Sequence, residues 1–247
     1  MRVRATVAGL LALAALGACG ASSPGSSPGS SPGSSPGSSP GSSIEDPVLQ
    51  GLAEGRASEF LDIGERLEAA APTPNAEVPA SGSATFEGVA GVSMDGPGAR
   101  AALVGETEIG VDFGSGAVEG EASDFVGRVN GAPAEAFDGS LRIAGTVGED
   151  RPNDLDALVS GQLRSDDHVV AVDGDVDGLF AGEDLEGVRL VGPDVRGTLD
   201  GAPVPTQVVA AAEVASFTDA LCGSPAGGGC GPVPGSELGP GTASAGR

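Results

Sequence analysis

Residues 169–181 read VVAVDGDVDGLFA. In an extended chain Val170, Val172, Gly174, Val176, Gly178 and Phe180 fall on one side, and Asp173, Asp175 and Asp177 fall on the other. One face is apolar and the other carboxylate, so the stretch reads as a strand buried on one side and wet on the other. Glycine recurs on the buried side, where a side chain would be expected.

The same period of two extends outward in both directions. Ala84, Phe86, Gly88, Ala90 and Val92 share a face, as do Ile109, Val111 and Phe113. Residues 116–129 form a third strand. Leu141, Ile143, Gly145 and Val147 define a fourth, and Ala157, Val159, Gly161 and Leu163 a fifth. After the stretch quoted above come Val188 and Leu190, a bulge at Gly192-Pro193-Asp194, then Val195, Gly197 and Leu199. Val208, Ala210, Ala212 and Val214 close the series. The alternation alone fits a two-sheet sandwich as well as a barrel. Inner glycines opposite Phe or Leu favour a small closed barrel, since they leave room for large neighbours and permit sharp coiling. The expected fold is mainly β: an eight-stranded antiparallel β-barrel over 81–215, preceded by one amphipathic helix. The Glu, Asp and Arg on the outer faces argue against a barrel that spans a bilayer.

Upstream, residues 44–72 change period. Val48, Leu52, Phe60, Leu61, Ile63, Gly64 and Leu67 recur at near-helical spacing, with charged residues between them. Glu45 and Asp46 suit the positive end of the helix dipole, Gly55 is a candidate break and Pro72 a stop. The helix is expected to pack on the domain that follows. Its acidic polar face does not suit an anionic membrane.

The N-terminus carries an address. Residues 1–18 contain Arg2 and Arg4, then an apolar run from Val7 to Leu16, the pattern of a signal peptide. Leu16-Gly17-Ala18-Cys19 resembles the bacterial lipobox, which implies cleavage before Cys19 and lipidation of its thiol, with the membrane as partner through that anchor. Gly20, not Asp, follows the cysteine, a pattern that favours the outer membrane. Residues 19–43 hold five SSPG repeats, a composition expected to form a disordered tether. Residues 216–247 are Gly- and Pro-rich and read as a disordered tail. Cys222 and Cys230 remain once Cys19 is lipidated, and in an oxidising compartment two such thiols are expected to form a disulfide.

Composition excludes several functions. Of 247 residues, 35 are Asp or Glu and 12 are Arg, with no Lys, for a net charge of −23. Such a chain repels phosphate, so nucleic acid is not an expected partner. With one His and no Tyr or Lys, the inventory for acid–base or nucleophilic catalysis is thin, and no catalytic residue, cofactor or metal site is assigned. Asp173, Asp175, Asp177, Gly178 and Asp184 approach the spacing of a calcium loop, but the twelfth position is Asp where Glu is expected, and the segment fits a strand better. Ser165, Asp166, Asp167 and His168 are neighbours in sequence, without a nucleophile elbow, and read as a turn.

Three short motifs carry a resemblance. Residues 81–88 (SGSATFEG) resemble the first barrel strand of the transferrin-binding-protein-B-like surface lipoproteins. Val111-Asp112-Phe113-Gly114-Ser115-Gly116 with Val118 and Gly120 is similar to that family's second strand, turn and third strand, and residues 176–182 (VDGLFAG) to its glycine-Phe-glycine motif. The Gly197-Thr198-Leu199 strand also fits. The resemblance covers about 81–214. It implies an eight-stranded barrel on a lipidated stalk, held at the outer membrane or cell surface, that binds a protein or a metal- or haem-bearing ligand without catalysis. A membrane receptor is a further partner it allows. The chain departs from the family in having one barrel, no separate handle domain and no long gripping loops, so transferrin binding itself is not carried over. The other reading is an acidic structural lipoprotein of the envelope with no small ligand of its own.

Overall fold

The computed structural model describes residues 46–148 and 151–218. A helix, α1 (Pro47–Ala69), leads into eight strands: β1 (Ser83–Gly96), β2 (Ala99–Asp112), β3 (Ala117–Val129), β4 (Glu135–Val147), β5 (Asp154–Arg164), β6 (Val169–Ala181), β7 (Gly187–Leu199) and β8 (Ala202–Thr218). Each strand pairs antiparallel with the next, and β8 returns to β1, so the sheet closes into a barrel. Closure leaves no free sheet edge. The expected barrel over 81–215 is therefore present, with β8 running three residues further.

The interior is built from the inward set that the alternation identified. Phe86, Phe125, Phe180, Leu103, Ile109, Leu141, Leu155, Leu163 and Leu190 are each less than 2% exposed. They join the other inward residues in one continuous apolar cluster. Phe180 lies at the middle of an aromatic chain, with ring centroids 5.8 Å from both Phe86 and Phe113. Inward glycines make this packing fit. A Cβ on Gly105 would stand 2.9 Å from the Phe125 ring, and one on Gly178 would stand 2.3 Å from Leu190 Cδ2. At Gly127 it would stand 2.1 Å from the Ala102 carbonyl oxygen. The barrel is thus filled to its wall by large side chains from one strand set against bare backbone on the next.

Register breaks bend the strands at defined places. The ladder between β7 and β8 shifts between Gly192 and Val195, at the bulge expected from Gly192-Pro193-Asp194. A shift between Ala122 and Phe125 places Asp124 at φ 52 in β3. A third lies between β1 and β8, where Thr85 faces Ser216 but Phe86 faces Val214. Val214 keeps the register of the inner set, opposite Phe86, but is 40% exposed near the end of the strand. Beyond it the extra residue, Ala215, reverses the alternation, so Phe217 faces Ala84 and its ring centroid lies 6.1 Å from that of Phe113.

The helix starts where the sequence places it and runs unbroken through Gly55. Asp46 caps it by accepting the Val48 N–H (2.9 Å), and Pro47 occupies the first turn, where no N–H is needed. It lies on the outside of the barrel. Phe60, Ile63 and Leu67 are buried against Val89, Val104, Val126, Val209 and Ala211, which are outward residues of β1, β2, β3 and β8. Val48 and Leu52, expected on the packed face, are instead 73% and 41% exposed. The buried stripe begins at Phe60, about two turns beyond Leu52.

Residues 70–82 then cross one end of the barrel. Pro72 bridges to Ala181 at the end of β6, and Val78 enters the interior cluster. Leu185, from the β6–β7 turn, is buried beside it despite a left-handed φ of 61. The other end is closed by short turns, two residues long at 97–98 and at 200–201. Asp200 and Gly201 take φ 53 and 80, the pattern of a tight hairpin whose backbone twist matches its strands.

The role of glycine can be read directly from stability. Gly127→Ala is expected to cost at least about 2 kcal/mol, since the new methyl meets backbone that cannot move aside. Gly64→Ala in α1, where a Cβ would meet nothing within 4 Å, is expected to stabilise by about 0.5–1 kcal/mol. Urea unfolding of both variants measures the contrast.

Candidate functional site

A barrel of this width could hold a ligand only if its lumen were open, and here side chains occupy it. The surfaces left for function are the outer wall, the turns and the two ends.

The strap end is fixed by one buried amide. Asn153, 8% exposed, donates from Nδ2 to the Thr73 carbonyl (2.6 Å), and its Oδ1 accepts the Phe180 N–H (2.7 Å). Its own backbone N–H donates to Asn75 Oδ1 (3.0 Å), and Thr73 Oγ1 donates to the Gly182 carbonyl (2.7 Å). Donors and acceptors balance, so the group is structural: it ties the segment after the helix to β6 and to the start of β5. Nothing in the alternation pattern marks Asn153. A polar residue between two apolar strands reads as a turn, and two of its partners, Thr73 and Asn75, lie about eighty positions upstream.

At the opposite end, two hairpins are clasped together. His168 Nδ1 lies 2.9 Å from Asp200 Oδ2, and Asp200 Oδ1 accepts the Val169 N–H (2.8 Å). The Val169 N–H first, and then the His168 ring, hold the Asp200 carboxyl below the usual carboxylate range. Ser165 Oγ accepts the His168 backbone N–H (3.0 Å). The serine therefore caps a turn and does not engage the imidazole, so residues 165–168 are the turn that the sequence indicates and not a nucleophilic triad.

Asp173, Asp175 and Asp177 alternate outward along β6, as a strand requires, and Asp173 pairs with Arg196. The twelve-residue loop of a calcium site is therefore not formed. Asp184 is separated from the three by the end of the strand. Among the described residues no group of three His, Cys, Asp or Glu could hold a metal ion.

The most unusual outer feature is a row of carboxylates. Glu213, Glu87, Glu108 and Glu121 face one another directly on the adjacent strands β8, β1, β2 and β3, and Arg142 on β4 ends the row. Like charges directly opposite one another in a ladder destabilise a sheet. Arg66 of α1 answers Glu213 at 2.8 Å, and Arg142 lies 4.0 Å from Glu119. A shallow depression of about 530 Å³ opens beside the row, lined by Glu108, Glu119, Glu121, Ser140 and Arg142 together with Gly110 and Gly120.

Above this row the helix is clasped by Arg56. Its side chain is 12% exposed, pairs with Glu106 at 2.7 Å and donates to the Asp124 carbonyl. The bulge in β3 takes Asp124 out of the regular ladder, and the guanidinium meets its carbonyl. The docking site of α1 was missed by alternation, but a signal exists. Val89-Ala90-Gly91-Val92, Leu103-Val104, Phe125-Val126 and Val208 to Ala212 are apolar at both odd and even positions. Strands that are apolar on both faces need a cover on the outside.

Cys19, the expected lipid site, and Cys222 and Cys230, the expected disulfide, lie outside the described residues, as do the signal peptide, the tether and most of the tail. Among the described residues no helix is long and apolar enough to cross a membrane. In comparisons with known proteins, the chain matches no family model, no curated protein and no solved structure.

The acid limit of the fold follows from two turns. Asp112 is lowered by the Ser115 N–H foremost, and Asp200 by the Val169 N–H. A carboxyl depressed in the folded state contributes stability above its unfolded pKa, near 3.9, and loses it as pH falls through the lower folded value. Both groups are solvent-exposed, so each contribution is small. Thermal melts from pH 6 down to pH 2 should show stability falling below about pH 4. Asp200→Asn should flatten part of that fall while lowering stability at pH 6, and an unchanged slope would contradict the assignment.

Proposed function

We propose that this chain is a non-enzymatic lipoprotein of the outer membrane or cell surface, whose single barrel binds a protein partner across its outer wall and turns. The observation that carries the reading is the filled lumen: with Phe86, Phe125 and Phe180 occupying the interior, no haem-sized ligand has room inside. A metal or haem would then be met as part of a protein that carries it. The lipobox ending at Cys19, the Ser/Pro/Gly tether and the resemblance to transferrin-binding-protein-B-like barrels support an anchored role in nutrient acquisition or in contact with the host or environment. Cys19 would carry the lipid, and Cys222 and Cys230 a disulfide. The strongly negative wall favours partners with basic surfaces and lowers affinity for anionic ones.

The second reading, an acidic structural lipoprotein of the envelope without its own small ligand, is favoured by the shortness of the turns, which run from two residues at 97–98 to six at 148–153. Loops of this length offer little reach around a partner.

Two measurements test the proposal. In cell fractionation the wild-type chain should sediment with membranes and Cys19→Ser should not; equal membrane association of the two would remove the lipoprotein assignment. Hemin titrated into the soluble chain should leave the Soret band at its free position, whereas a saturable shift at one equivalent would show that the barrel takes the small ligand itself.

A further inference from the structure

We infer that α1 is two elements in one: a fixed staple from Phe60 to Leu67, and a releasable segment, Pro47–Gly55, that peels from the barrel and reforms on it. This goes beyond the proposed binding role: the releasable segment does not depend on that reading, while the stand-off it would give rests on the proposed anchor at Cys19.

Burial is divided along the helix. Phe60, Ile63 and Leu67 are each 8% exposed or less, and all lie in the C-terminal half. The N-terminal half buries no side chain to that degree, leaving Leu49 and Ala53 partly covered and Val48 and Leu52 exposed. Most helical stability in proteins comes from such packing, so the two halves are held very unequally.

The sequence of the weak half makes the division sharper. Gly51 and Gly55 sit within it, and a Cβ at either would meet nothing within 4 Å. No packing demand therefore explains glycine there, while each weakens a helix interior relative to alanine. The ties from this half to the barrel are slight: Leu49, Ala53 and Glu54, which stands 3.9 Å from Arg128. The strong tie comes directly after it. Arg56, at 12% exposure, holds both Glu106 and the carbonyl of the bulge residue Asp124, and this is where peeling stops.

The device changes reach. Nine residues rise about 1.5 Å each when helical and span up to about 3.5 Å each when extended, so release adds about 18 Å between the barrel and the chain preceding it. The barrel keeps its core and its strap throughout, because Thr73, Val78 and Asn153 lie beyond the staple. A domain joined to its point of attachment in this way adjusts its stand-off without unfolding.

Hydrogen exchange on the full chain, followed by mass spectrometry, tests the inference. Amides of Gly51–Arg56 should exchange at least tenfold faster than those of Ile63–Leu67. The double variant G51A/G55A should slow the first group by about thirtyfold, the effect of two such changes in one helix segment, and leave the second unchanged. R56A should move the fast boundary to about Glu59 with no change in the amides of β1–β8. Equal exchange across the helix, equal slowing of both groups in G51A/G55A, or a boundary unmoved in R56A would overturn the inference.

Discussion

Closing eight strands into a narrow cylinder leaves room for only one layer of side chains from each wall, and large residues on every inward position would collide. This protein meets that limit by setting an inward glycine beside a large residue of the neighbouring strand. Gly105 lies under Phe125, Gly127 against Leu103, and Gly178 against Leu190 and Leu155. A methyl group at any of these sites would come within 3 Å of its neighbours. The gain is a core built almost wholly of Val, Leu, Ala, Ile and Phe in a chain with no Trp or Tyr. The consequence is a solid barrel. The same packing that stabilises the fold fills the lumen with side chains.

That outside is not uniform. One side, across β8, β1, β2 and β3, is apolar enough to need the helix, and Phe60, Ile63 and Leu67 cover it. Next to that cover the wall is acidic, with Glu213, Glu87, Glu108 and Glu121 in cross-strand contact. Arg56 and Arg66 each bridge helix to wall, so two of the chain's few cations are spent where carboxylates crowd. The remaining wall stays strongly negative. The barrel ends use different means: a buried amide, Asn153, ties down the strap, and a carboxylate, Asp200, clasps the facing turns.

Much of this was legible in the sequence, because both elements it depends on are local. Strand alternation needs only neighbours two apart, and it located all eight strands, the bulge after Gly192 and the outward facing of Asp173, Asp175 and Asp177. It failed to place Phe217, whose inward side follows from a register shift set by β1, far away in sequence. It also failed for Val48 and Leu52. Helical spacing shows which residues share a face, not where along that face the barrel begins to touch. Barrel and sandwich share one alternation, so the choice of a barrel rested on the inner glycines, and the pairing of β8 with β1 bears it out. Asn153 and Arg56 were invisible, since each acts through backbone groups whose position depends on the finished fold.

The central claim is that inward glycines are required by the side chains beside them. Gly197 gives the cleanest case: the atoms nearest a Cβ there belong to the side chains of Thr206 and Met94, the closest at 1.8 Å. A double-mutant cycle of Gly197→Ala and Thr206→Gly, read by urea unfolding, measures the dependence directly. The account requires Gly197→Ala to be strongly destabilising alone and at least about 1.5 kcal/mol less so in the Thr206→Gly background. Additive effects, with Gly197→Ala costing the same in both backgrounds, would contradict it.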